Sequence, residues 1–322
     1  MISTAPDAPR LAEAQRHVSV HARRTPLLGS RTLSELTGFD VHLKAEMLQR
    51  TGSYKIRGPL NKLARMPEEQ KRRGLVCSSA GNHAQGVALA AALHGVPAVV
   101  VMAENATPSK VAATRGYGAE VVLHGSIWDE ANERALELCE ERGLTYVHPF
   151  DDPELIAGQG TLGLEILEDQ PEVDVVVVPI GGGGLISGVA SAVAAHRPEA
   201  RVVGVESSGA PAMKRSVEAG ERVRLDRVDC RIDGLTVKQV GEHTLAIVSE
   251  LVDEIVTLPD ETIFEAVLWT MARTKLVVEA AAAAPIAALL AGAIHAEPGA
   301  RVACVLSGGN LGLEQLQGMR WN

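Results

Sequence analysis

Apolar and polar positions along the chain follow two alternating periods. Runs of β-branched residues at 75–78, 98–102, 120–123 and 145–147 read as strands, and the stretches 82–94 and 128–142 between them read as helices. A further helix is predicted after Thr107, with Pro108 in its first turn. Downstream, 173–180 (VDVVVVPI) is so apolar that it predicts a strand buried on both faces. More strands are expected at 201–205, 254–258 and 302–306, with helices between them. This βαβ order predicts an α/β fold of open, twisted, mostly parallel sheets with helices on both faces. The apolar stretch 276–294 is interrupted by Glu279 and Pro285 and is largely alanine, so it reads as a buried helix and not a membrane span. No short-period repeat or low-complexity tract appears.

Composition narrows the function classes. With 46% hydrophobic and 22% charged residues, the 322-residue chain has the balance of a globular protein with a sizeable core. A net charge of −9 and only 3% aromatics argue against nucleic acid, which attracts basic surfaces and stacking platforms. Cys77, Cys139, Cys230 and Cys304 are widely spaced, with no zinc or disulfide signature, and suit a reducing cytoplasm. Residues 1–24 mix Asp7, Glu13, Arg and His with no apolar run, so no secretory signal is expected there. His17 and His21, four apart on a predicted helix, read as a surface pair among arginines.

Candidate chemistry lies in four short segments. Gly181, Gly182, Gly183 and Gly184 sit between the buried strand and a helix, where converging N–H groups and the helix dipole favour an anion such as phosphate. Gly182, Gly184 and Gly188, with Glu206 at the end of the next strand, also fit a dinucleotide site. A nicotinamide-linked oxidoreductase is therefore one alternative. The second segment, Ser53-Tyr54-Lys55-Ile56-Arg57-Gly58, sets a lysine beside an aromatic ring within 35–59, a stretch otherwise rich in turn residues. The third, Cys77-Ser78-Ser79-Ala80-Gly81-Asn82-His83, opens a helix after a strand and suits a carboxylate. The fourth, Ser307-Gly308-Gly309-Asn310, again follows a strand. Ligands of open α/β sheets bind at the carboxyl ends of strands, so these loops can face one crevice.

SYKIRG, SSAGNHAQG, PIGGGGLISG and LSGGN, in this order and spacing, resemble the threonine and serine dehydratases, including the serine racemase branch. These belong to the tryptophan-synthase-β-like group, fold type II, of pyridoxal-phosphate enzymes, and the resemblance runs from about residue 24 to 312. It implies two sheets, with a small domain of 74–150 inserted into a large one formed by 1–73 and 151–322, and a homodimer. It implies that Lys55 is the catalytic base and carries pyridoxal 5'-phosphate as a Schiff base, and that Tyr54 flanks the ring. Asn82 would meet the phenolic oxygen, glycines 181–184 and Leu185 the phosphate, and Ser307 the pyridine nitrogen, with Glu279 also lining the cofactor. Ser79, Ala80, Gly81, Asn82 and His83 would bind the substrate, a small hydroxy amino acid. The activity implied is elimination of water and ammonia, leaving a 2-oxo acid.

Several positions depart from the family's pattern. Racemising relatives have serine where Ala80 stands, which favours elimination over racemisation. Glu279-Ala280-Ala281-Ala282-Ala283 replaces Glu-Pro-Ser/Ala-Gly-Ala, and Pro59 a usual alanine, which admits another β-hydroxy amino acid as substrate. The resemblance also implies a divalent cation held by Glu206 and a second carboxylate, but Ala212 stands at the second position, and one carboxylate holds such a cation poorly. Only twelve residues follow Asn310, so a C-terminal regulatory domain and isoleucine feedback are not expected. A non-catalytic binder on the same fold would have no need of Lys55.

Overall fold

The computed structural model describes residues 5–317. Among them, ten strands follow one another as β1 (Leu27–Gly29), β2 (Asp40–Ala45), β3 (Leu75–Ser78), β4 (Ala98–Met102), β5 (Glu120–Leu123), β6 (Thr145–Tyr146), β7 (Val175–Pro179), β8 (Arg201–Ser207), β9 (Glu254–Leu258) and β10 (Arg301–Leu306). They form a six-stranded sheet in the order β1-β2-β10-β7-β8-β9 and a four-stranded sheet in the order β5-β4-β3-β6. Every pairing is parallel except β1 with β2. Both sheets are open, as the alternation of strands and helices predicts.

Each sheet is covered on two faces, and the period of two along its strands shows how. On β7, Val175 and Val177 pack with the helix Ala280–Leu290, whereas Val176 and Val178 pack with the helices Pro153–Asp169 and Gly184–His196. In the smaller sheet, Leu75 and Cys77 of β3 meet the helix Asn82–Leu93, and Val76 meets the helix Trp128–Arg142. All five residues of β4 and of β7 are buried, which explains why these strands are uniformly apolar.

Three expectations are corrected. β2 lies in a stretch read as rich in turn residues, yet it pairs with β10 along its whole length from Asp40 to Ala45. Its signal is obscured by Lys44, which is fully buried, with its ammonium 2.6 Å from a Glu165 carboxylate oxygen and 2.6 Å from the Thr25 carbonyl. The predicted helix over 276–294 is confined to Ala280–Leu290, and Pro285 lies inside it. His21 lies beyond the first helix, Ala8–Ser19, so His17 and His21 do not share a helical face. Among the described residues, no helix is long and apolar enough to cross a membrane.

The helices Pro153–Asp169 and Gly184–His196 approach closely enough to leave no space for a side chain. A Cβ at Gly188 would lie 2.5 Å from the Gly160 nitrogen and 2.5 Å from the Ile156 carbonyl oxygen. This contact seats the glycine loop, four residues upstream, on the large sheet. Gly188→Ala is expected to cost about 1–3 kcal/mol of stability through overpacking, read as a lowered urea midpoint. That exceeds the gain of up to ~1 kcal/mol from alanine's helix propensity. An unchanged or raised midpoint would show that the helices have room to separate.

Candidate active site

Lys55 lies in a short 3-10 turn, Tyr54–Ile56, that runs into the helix Arg57–Arg65. The turn is held on three sides. Ser53 bridges Gly308, and the Tyr54 N–H donates to the Ser307 carbonyl at 3.0 Å. Beneath it, Arg57 is fully buried and donates to both Glu46 and Glu165. From above, a Cβ at Gly86 would lie 2.6 Å from the Lys55 carbonyl oxygen, so the helix Asn82–Leu93 rests directly on the lysine's backbone. The Lys55 amine donates to the Pro149 carbonyl at 2.7 Å and lies 5.3 Å from the Tyr54 ring centroid. Desolvation pulls its pKa down to about 8, against the opposing attraction of Glu279.

The loop from β3 to the next helix places Ser79, Ala80 and Gly81 half-buried, with the Gly81 N–H donating to the Ser79 hydroxyl at 3.2 Å. A Cβ at Gly81 would meet nothing within 4 Å, so the helix N-terminus opens onto free space where a carboxylate can reach its N–H groups. Asn82 donates to Glu279 at 2.7 Å and accepts from Asn310 at 2.7 Å, drawing the loops of both sheets together. The His83 side chain turns away. Its Nε2 donates to the Val147 carbonyl at 3.0 Å, and burial, then Lys55, push its pKa down to about 3. A neutral imidazole there adds no second positive charge beside the lysine.

Glycines 181–184 join β7 to the helix Gly184–His196, and Gly183 has φ of 93°, where a side chain would be strained. A Cβ on Gly182 would fall 2.2 Å from the Phe150 ring, and one on Gly184 2.8 Å from the Phe150 carbonyl. Leu185 is 4% exposed and packs into the core, leaving its N–H among the unpaired donors of the first turn. The Thr244 hydroxyl donates to the Gly182 carbonyl at 2.8 Å. Pro149 and Phe150 therefore connect the lysine to the glycine loop. Neither they nor Thr244 stood out in the sequence, because a backbone acceptor and a packing ring leave no motif.

Glu206, expected to ligate a cation, is buried and accepts the N–H groups of Met213 at 2.8 Å and Lys214 at 2.9 Å. Both oxygens thus cap the helix Ala212–Ala219, and burial pushes the pKa up to about 7. Among the described residues, no group of three or more His, Cys, Asp or Glu is arranged to hold a metal.

The assembled groups suit an aldehyde-bearing phosphate. A largely desolvated amine is available to the aldehyde, and a loop too tight for any Cβ leaves backbone N–H groups to the phosphate. Comparison with known proteins agrees. A family model described as pyridoxal-phosphate dependent enzyme matches residues 18–308, and the chain belongs to that family. Among its relatives, an L-threonine ammonia-lyase of Thermotoga maritima is 48% identical over 306 residues, covering 95% of this chain and 76% of the relative. A catabolic L-threonine dehydratase of Staphylococcus aureus is 44% identical over 313 residues, covering 96% and 90%. Among solved structures, the processed threonine deaminase isoform 2 of Solanum lycopersicum matches with a TM-score of 0.91 at 36% identity, covering 98% of this chain and 94% of that one. Maize serine racemase matches with a TM-score of 0.93 at 34% identity, covering 98% and 96%.

Because only the neutral amine attacks an aldehyde, capture of pyridoxal phosphate by the cofactor-free protein is expected to accelerate with pH around a midpoint near 8. An ordinary lysine would give a midpoint near 10.4. Stopped-flow absorbance measures this directly, and a midpoint above about 10 would show that the amine is not desolvated.

Proposed function

We propose that this chain is an ammonia-lyase that removes water and then ammonia from a small β-hydroxy amino acid, L-threonine or L-serine. The observation that carries the reading is a Lys55 amine held on the Pro149 carbonyl with its pKa pulled down to about 8, beneath the helix that the Ser79–Gly81 loop opens. When bound, pyridoxal phosphate supplies an electron sink for negative charge at the substrate Cα. The Ser79–His83 loop holds the substrate carboxylate, through N–H groups other than those of Ser79 and Gly81, which bond the Val101 carbonyl and the Ser79 hydroxyl, and so sets which Cα bond faces the lysine. Neutral Lys55 takes the Cα proton at Nζ, as a general base.

A hydroxyl at Ser307, in place of a carboxylate, would leave the pyridine nitrogen of the bound cofactor without a proton donor of carboxyl strength. Charge at Cα is then relieved promptly by loss of the β-hydroxyl, which leaves as water with the proton that Lys55 took from Cα. The product hydrolyses, consuming one water, to ammonium and 2-oxobutanoate from threonine or pyruvate from serine. Racemisation needs a second proton carrier, and the Ala80 methyl cannot serve. We further read the segment 74–150, which carries the four-stranded sheet, as a domain that closes on the remainder and excludes water. The Ala280–Ala283 run keeps a differently substituted β-hydroxy amino acid open as the preferred substrate.

The test is release of 2-oxo acid from L-threonine and L-serine by the protein supplied with pyridoxal phosphate. Lys55→Ala is expected to lower turnover at least ~10³-fold, as loss of a general base does. Turnover that survives this change, or D-amino acid formed faster than 2-oxo acid, would contradict the reading.

A further inference from the structure

The helix Glu242–Leu251 begins at Gly241, which has no side chain with which to cap it. Its cap comes from far away in the sequence. The Asp151 carboxylate accepts the Glu242 N–H at 2.9 Å through one oxygen and the Thr244 N–H at 3.1 Å through the other. Gly241 is what admits it, since a Cβ there would lie 2.1 Å from the Asp151 carboxyl carbon.

Thr244, fixed in this way, is fully buried; its hydroxyl accepts the Gly241 N–H at 3.1 Å and donates to the Gly182 carbonyl at 2.8 Å. That carbonyl shares one trans peptide with the Gly183 N–H, so the two point in opposite directions. Holding the oxygen against Thr244 turns the Gly183 N–H away from the helix. Gly183 itself, at φ 93°, has Thr244 and Met213 close behind it: a Cβ would meet the Thr244 Cβ at 2.9 Å. Asp151 is in turn fixed by His148, whose Nδ1 accepts the N–H groups of Asp151 at 2.8 Å and Phe150 at 3.3 Å.

We propose that Asp151 and Thr244 are positioning residues that aim the Gly183 N–H at the cofactor phosphate. The proposal rests on glycines 181–184 being the phosphate cradle. Neither side chain need touch the cofactor: Asp151 orders the helix start, Thr244 reads that order, and the glycine peptide transmits it. Asp152, the next residue, is the natural comparison. It caps a different helix, through the N–H groups of Glu154 at 2.9 Å and Leu155 at 3.2 Å, and has no bond to the glycine loop.

The experiment measures binding of pyridoxal phosphate and of phosphate-free pyridoxal to the full chain freed of cofactor, and takes the ratio of affinities. The native protein is expected to prefer the phosphorylated form strongly. Thr244→Val and Asp151→Asn are expected to reduce that preference about 10- to 100-fold while leaving pyridoxal affinity unchanged, the effect of misaiming one hydrogen bond to a charged group. Thr244→Ser, which keeps the hydroxyl, is expected to restore it, and Asp152→Asn to retain the native preference. If the native protein shows no preference, the cradle reading itself falls. If it shows one and both Thr244→Val and Asp151→Asn keep it, the cradle stands and the bracing role is overturned.

Discussion

Two cations and two carboxylates buried beneath the lysine turn hold the architecture together. Arg57 lies two residues beyond Lys55, and its guanidinium is clasped by Glu46 on one side and Glu165 on the other. Lys44 reaches the same Glu165. Burial alone would raise the Glu165 pKa and lower that of Lys44, but Arg57 and Lys44 together outweigh it at Glu165 and keep that carboxyl below its ordinary value. A buried charge that loses its partner costs about 3–5 kcal/mol, so none of these groups can move alone. The strand β2, the helix Arg57–Arg65 that follows the lysine turn and the helix Pro153–Asp169 are thereby fixed to one another, and the backbone of Lys55 with them.

The amine above this base is placed by groups of the opposite kind. Its immediate contacts are the Tyr54 ring, a backbone carbonyl and a histidine held neutral by burial, and the carboxyl that attracts it, Glu279, is itself pushed toward its neutral form by burial. The protein therefore sets matched, hydrogen-bonded charge on one side of a single turn and a desolvated amine on the other. The segment His148–Asp152 then ties the amine to the cradle, with Pro149 accepting from Lys55, Phe150 filling the space behind Gly182, and Asp151 ordering the helix whose Thr244 holds the loop. Short side-chain hydrogen bonds to the backbone and close packing, and not any long-range force, carry that connection.

Much of this was legible in the sequence. Strands such as β4 and β7 are buried on both faces and so carry their signal in every residue. The lysine, asparagine, glycine and serine loops were legible because chemistry at a strand end needs unusual residues in short compass. β2 was not, since Lys44 in a strand makes sense only beside Glu165, more than a hundred residues away. Asp151 escaped for the same reason, because it caps a helix that begins ninety-one residues later. Glu206 gave an ambiguous signal, because a carboxylate at a strand end looks the same in the sequence whether it meets a cation or, as here, two backbone N–H groups.

The elimination chemistry and the bracing of the loop both presuppose that the cofactor is carried by one particular lysine among all those in the chain. Reduction of the pyridoxal-phosphate-loaded protein with borohydride, followed by proteolysis and mass spectrometry, tests this most directly. The account predicts a single stoichiometric adduct, a pyridoxyl phosphate on Lys55. An adduct on another lysine in the native protein, with Lys55 unmodified, would contradict it.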